Sequence, residues 1–231
     1  MKALPSNKQL GPIQNSDENN IIYNSSGKEI TPEEYRTAVN HLLDQKATVL
    51  AQSVGMPDAV MYRSKVATTF DKHLVEVCML TMRDVHSKEA VPPDPYVCGH
   101  SKINATRQVE AMRTLLALGT DPLELTIEAC RKREVPIVAS YRMNAEDWYM
   151  HTWKPSDFGR AHPEWRIPGG PGCLDPAIPG VYEHRMRIFE DVVNNYDVDG
   201  IEFDWRRWYH MISDPLHNHP ILTRMVRETR H

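Results

Sequence analysis

Two carboxylates, Glu202 and Asp204, stand two residues apart in the run VDGIEFDWRRWYH, Val198–His210. Two arginines, Arg206 and Arg207, follow them inside an aromatic cluster. Side chains alternate along a strand, so Glu202 and Asp204 share one face, about 7 Å apart by the rise per residue. Burial and a like-charged neighbour raise a carboxyl's pKa, while nearby arginines lower it. A pair tuned in this way suits glycoside cleavage, in which one acid protonates the leaving oxygen and the other is base or nucleophile. Glu202 or Asp204 would be the general acid. The competing reading is a strand that ends at the surface, its acids neutralised by the arginines. Asp199 points the other way and reads as a turn residue with Gly200.

SYRMNAEDW, Ser140–Trp148, repeats the pattern at the end of an earlier strand. Arg142 and Asn144 share one face there. Arg142 is expected either to pair with Glu202 or Asp204 on the adjacent strand or to bind substrate, since a guanidinium holds an oxyanion bidentately. Asn144 offers a donor and an acceptor to a hydroxyl-rich ligand. Trp148, Trp153, Trp165, Trp205 and Trp208 lie near strand-end loops. Their faces suit the apolar side of a sugar ring; loop packing is the alternative. Arg142, Asn144, Trp205 and Arg206 form the candidate substrate-binding set. Asp17, in the DENN run, is a weaker candidate for the rim. The histidines number 11, yet only His217 and His219 form a tight pair, with no HExxH or Cys/His ligand spacing. No metal and no cofactor are expected. A Ser-His-Asp triad has no GxSxG support.

The elements that must position these residues alternate. NNIIYN, Asn19–Asn24, reads as a first buried strand. TPEEYRTAVNHLLDQ opens with Thr31 as cap, Pro32 at the first helical position and Glu33 and Glu34 in the first turn. ATVLAQSVG, Ala47–Gly55, is a second strand. A long excursion follows, whose middle is expected to hold a helix. NATRQVEAMRTLLALG and DPLELTIEACRKRE are helices, the second capped by Asp121. VPIVASYRMN, Val135–Asn144, is a third strand, and VDGIEFDW a fourth. A helix precedes the fourth strand, and another starts at HPILTRMVRETR. This alternation predicts α/β architecture with a parallel sheet. The long loops follow strand C-terminal ends, where both barrels and doubly wound sheets bind ligands. No GxGxxG or Walker pattern is present, which favours a (β/α)8 TIM barrel. Only about four β/α units can be counted. The expectation is a partial barrel: residues 1–18 a flexible N-terminal arm, residues 19–231 an incomplete, truncated barrel domain. Its open edge would invite self-association.

The chain has 231 residues, 25% charged and 41% hydrophobic, with a net charge of −4, which gives no basic footprint for nucleic acid. No apolar run is long enough for a membrane span, and no signal peptide stands at the start. A cytoplasmic location is the default, without nucleic-acid or membrane partners. The 4 cysteines are far apart and read as reduced.

DGIEFDWRRW, SYRMN, FGRAHPEWRI and LDPAIPGVYEHRM together resemble the glycosyl hydrolase-like 10 domain, a TIM-barrel family. The resemblance implies hydrolysis of a carbohydrate, with Glu202 and Asp204 as the fourth-strand acids. Chitinase-like barrels carry their catalytic glutamate where Arg206 stands, so that mechanism is not expected. Barrels of the large retaining clan take their nucleophile from a seventh strand, so the chain alone is expected to be inactive. The alternative is a non-catalytic carbohydrate-binding or interaction protein on the same scaffold. A barrel enzyme of another class, such as an aldolase, is a third reading, with no lysine in the third or fourth strand to serve it.

Overall fold

The computed structural model describes residues 11–17, 21, 30–56, 58–72, 82–83, 90–91, 109–143, 156–168, 173–206 and 211–230. Its main sheet is built from β1 (Ile13–Ser16), β2 (Val49–Met56), β3 (Ala59–Val60), β4 (Thr68–Thr69), β7 (Ile137–Arg142) and β8 (Gly200–Asp204). A separate antiparallel pair joins β5 (Met82–Arg83) to β6 (Ala90–Val91). The helices are α1 (Pro32–Leu43), α2 (109–117), α3 (Pro122–Lys132), α4 (Asp157–Ala161), α5 (Pro179–Asn195) and α6 (Pro215–Glu228).

Strands β1, β2, β7 and β8 are parallel and lie side by side in chain order. Helices come between consecutive members of this row, so the fold is α/β with a parallel-dominated sheet. Beyond β2 the chain turns back at once into β3, which pairs antiparallel with Gly55 and Met56. Gly55 has φ of +125°, and a Cβ there would lie 2.4 Å from the Ala59 carbonyl oxygen. Only glycine fits that turn.

The helix starts follow from their caps. The Thr31 hydroxyl accepts from the Glu34 N–H at 3.2 Å, and the Glu34 carboxylate accepts from the Thr31 N–H at 2.9 Å. This reciprocal box satisfies two orphan donors of α1. Tyr35, Val39 and Leu43 then bury one stripe of the helix. Asp121 caps α3, accepting from the Glu124 N–H at 2.9 Å. Ile137, Ala139 and Tyr141 of β7 are fully buried on the apolar side of the sheet, beside Leu50 and Phe189. Segment 58–72 fills out this core with Met61, Tyr62, Ala67 and Phe70.

Several sequence expectations need correction. A strand forms at Ile13–Ser16, inside the stretch expected to be a loose arm. Its polar side chains hid it, because it is held by backbone pairing with Val49–Gln52 and buries only Ser16. Of the expected first strand, Asn19–Asn24, only Ile21 is described, and it is buried in the core. The helix expected in the middle of the excursion after β2 lies mostly outside the described residues, which show there short strands and a 3-10 turn at Phe70–Lys72. The last helix begins at Pro215, not at His219, so Pro220 lies inside it. Asp214-Pro215 is itself a start signal, since a proline at the first helical position gives up an N–H that has no intrahelical acceptor.

Candidate active site at the ends of β7 and β8

Register decides what shares the polar face of the sheet. Ser53 pairs with Ser140 and Ser140 with Glu202. One step further, Arg142 pairs with Asp204. Across the same strands, Ala139 pairs with Ile201 and Tyr141 with Phe203, so the apolar residues collect on the helix side. The alternation read from sequence therefore holds: Glu202 and Asp204 lie on one face, next to Ser140 and Arg142.

The two acids differ in their partners. Arg206 holds both oxygens of Asp204, Nε to Oδ1 at 2.7 Å and Nη2 to Oδ2 at 3.1 Å. The Arg206 backbone N–H also donates to Oδ1, at 2.9 Å. Burial pushes the Asp204 carboxyl up, but these hydrogen bonds and the charges of Arg206 and Arg142 outweigh it and hold it below the usual range. Asp204 is thus an anion. Glu202 differs: its Oε2 is buried and has no hydrogen-bond partner among the described residues.

Arg142 was expected either to pair with Glu202 or Asp204 or to bind substrate. Its guanidinium instead forms an ion pair with Asp17, just past the end of β1. Sequence reasoning gave Asp17 little weight, because nothing local says which strand end it will meet. Trp205 is partly buried and packs against the hydrophobic core, as do Ile201 and Phe203. Asn144, Arg207, Trp148, Trp153 and Trp208 lie outside the described residues.

Asp199, expected to serve a turn, ties the start of β8 to its surroundings. Its Oδ2 accepts from the Ile137 N–H at 2.8 Å and from Arg131 Nη1 at 2.7 Å. It thereby sets the level of β8 against β7. Trp165 stacks on His162 with ring centroids 3.7 Å apart. Its far edge lies over Gly180 at the start of α5. Among the described residues no group of three or more His, Cys, Asp or Glu could hold a metal ion, and no helix is long and apolar enough to cross a membrane.

The model of the glycosyl hydrolase-like 10 family matches residues 88–214, more than half of the chain. The chain belongs to the glycosyl hydrolase-like 10 family. No curated protein matches it. The family match takes in β7, α5 and β8, and with them Arg142, Glu202, Asp204 and Arg206. It begins after β2, so Asp17 lies outside the matched stretch. The matched stretch is shorter than the barrel domain expected from sequence, residues 19–231.

Proposed function

We propose that this glycosyl hydrolase-like protein cleaves a glycosidic bond at the polar face of β7 and β8, on a partial (β/α)8 barrel. The four parallel strands β1, β2, β7 and β8, which follow chain order, support the barrel over a doubly wound sheet, whose strand order reverses at its ligand crevice. Glu202 is the general acid, and Asp204 the permanently ionised carboxylate beside it. The observation that carries this reading is the contrast between them: every polar arm of Asp204 is engaged by Arg206, whereas Glu202 Oε2 is buried and unpartnered among the described residues. Glu202 is half-buried on the same face as the Asp204 anion, a placement from which it can donate a proton to the leaving oxygen. Asp204 faces the positive charge that develops on the sugar ring. Arg142, Asn144 and Trp205 form the proposed positioning set.

The test is a panel of 4-nitrophenyl glycosides and oligosaccharides with wild type, Glu202→Gln and Asp204→Asn. Turnover by wild type that falls at least ~100-fold in Glu202→Gln supports the acid role. Saturable oligosaccharide binding without turnover, unchanged in Glu202→Gln, would instead establish the carbohydrate-binding reading.

A further inference from the structure

Asp58, His184 and Arg185 are buried together, with exposures of 0%, 5% and 1%. Asp58 stands in the turn that leaves β2, at the same end of the sheet as Arg142 and Asp204. His184 and Arg185 lie near the start of α5. Arg185 Nη2 donates to Asp58 Oδ2 at 3.2 Å and to the Leu174 carbonyl oxygen at 3.4 Å. His184 Nε2 faces Asp58 Oδ1 at 3.8 Å, too far for a hydrogen bond. Neither of these two atoms has a hydrogen-bond partner among the described residues, and neither does Arg185 Nε. A buried ion pair adds little net stability over apolar packing, and a switch is one of its attested uses.

The cluster is also a junction. The His184 ring lies flat on Phe158 of α4, with centroids 3.8 Å apart and 8° between the planes. The Asp157 N–H donates to Thr68 Oγ1 at 2.8 Å, and the Thr68 N–H donates to the Asp58 carbonyl oxygen at 3.2 Å. α4 is thus fastened twice, to α5 by the ring stack and to the turn after β2 through β4. It belongs to the connection that runs from the end of β7, past Arg142, to the start of α5.

We propose that Asp58, His184 and Arg185 form an acid-sensitive latch: with the His184 ring neutral, the cluster holds α4 and the connection leaving β7 against the start of α5, and protonation of the ring releases them. The groups that face the ring are Asp58 from the turn after β2, Arg185 and Arg187 from its own helix, and His162 from the end of α4. Asp58 is the one anion among them, and Arg185 already holds one of its oxygens. A protonated ring would add a further cation to a space that water does not reach. Burial opposes that proton most, the two arginines and His162 add to it, and Asp58 opposes them without prevailing. An opened cluster hydrates the ring, which then takes up a proton near pH 6.5. The closed state is therefore favoured above that pH and loses ground as pH falls below it. The latch rests on no reading of the chemistry at β7 and β8.

The test is hydrogen exchange read by mass spectrometry on the full chain at pH 8 and pH 5.5, each rate divided by the chemical rate at that pH. In wild type, amides of residues 157–162 should open about 10-fold more often at pH 5.5, one pH unit below the unfolded histidine value. Amides of α3, residues 122–132, should change much less, which marks the release as local. In His184→Gln the difference at 157–162 should vanish. If that variant does not fold, His184→Phe carries the same test, since it keeps a ring on Phe158 and has no proton to take up. His162→Gln should leave the response in place. Opening of 157–162 that is equal at the two pH values in wild type overturns the inference. A response that survives in His184→Gln, one that disappears in His162→Gln alone, or an equal rise in α3 does so too. None of these readouts depends on turnover, so the latch stands or falls apart from the glycosidase reading.

Discussion

Arg206 grips Asp204 from two residues further along the same chain, with Nε on Oδ1 at 2.7 Å and Nη2 on Oδ2 at 3.1 Å. A bidentate fork of this kind fixes both the charge and the orientation of a carboxylate. Arg206→Ala should therefore release Asp204 to titrate higher. The sign follows from linkage. The folded-state carboxyl is held below its unfolded value, so its stabilisation is present above the unfolded pKa of about 3.9 and is lost as pH falls through the folded one. Arg206→Ala should remove that contribution, and burial should then dominate. A 13C titration of Asp204 that does not move upward in this variant would show that the fork is not what keeps the residue ionised.

Asp121 is a buried carboxylate with several donors. It accepts from the Glu124 N–H at 2.9 Å, from Arg63 Nε at 3.0 Å and from the Tyr196 hydroxyl at 2.5 Å. It joins the start of α3, segment 58–72 and the end of α5. Asp121→Ala removes a helix cap and leaves a tyrosine hydroxyl without its acceptor. The expected loss is about 3 kcal/mol in urea unfolding. Asp121→Asn should lose less, because an amide oxygen still accepts.

His184 should make folding sensitive to mild acid. Its ring stacks on Phe158 with centroids 3.8 Å apart, and its Nε2 is buried without a hydrogen-bond partner among the described residues. Burial lowers its pKa; Asp58 opposes this, while Arg187, Arg185 and His162 add to it. The unfolded chain takes up a proton near pH 6.5, where the folded one does not. Stability should therefore fall as pH drops below about 6.5. The Tm difference between pH 8 and pH 5.5 should be smaller in His184→Gln than in wild type. Equal differences would mean that the ring takes up its proton alike in the folded and the unfolded chain.

Gly180 leaves room for an aromatic ring. A Cβ there would sit 2.6 Å from Cη2 and Cζ3 of Trp165. His162 stacks on that ring, so Trp165 cannot shift without disturbing the pair. Gly180→Ala should cost about 1–3 kcal/mol and change the tryptophan emission. Gly119→Ala serves as a contrast. Gly119, unlike Gly180, has positive φ, at 80°, and nothing lies within 4 Å of its Cβ position, so its penalty is backbone strain alone.

Much of this molecule is legible in one dimension. Thr31-Pro32 and Asp121-Pro122 announce α1 and α3 because capping is a contact between residues three apart. The shared face of Glu202 and Asp204 is legible too, because strand alternation needs only sequence spacing, and the register with β7 bears it out. Partners across the sheet are not legible. Which acid meets Arg142 depends on strand order and on how far each strand runs before it ends. Asp17 therefore emerges only once β1 is seen beside β2. The polar strand Ile13–Ser16 stays hidden for the same reason, since backbone pairing leaves no mark on side-chain periodicity. Asp199 reads as a turn residue until Arg131 and the Ile137 N–H converge on it. Residue types and local spacing determined which groups could do chemistry and which way they face. The tertiary structure decided which charges they meet, and through that which carboxylate stays ionised, because a pKa is set by neighbours in space.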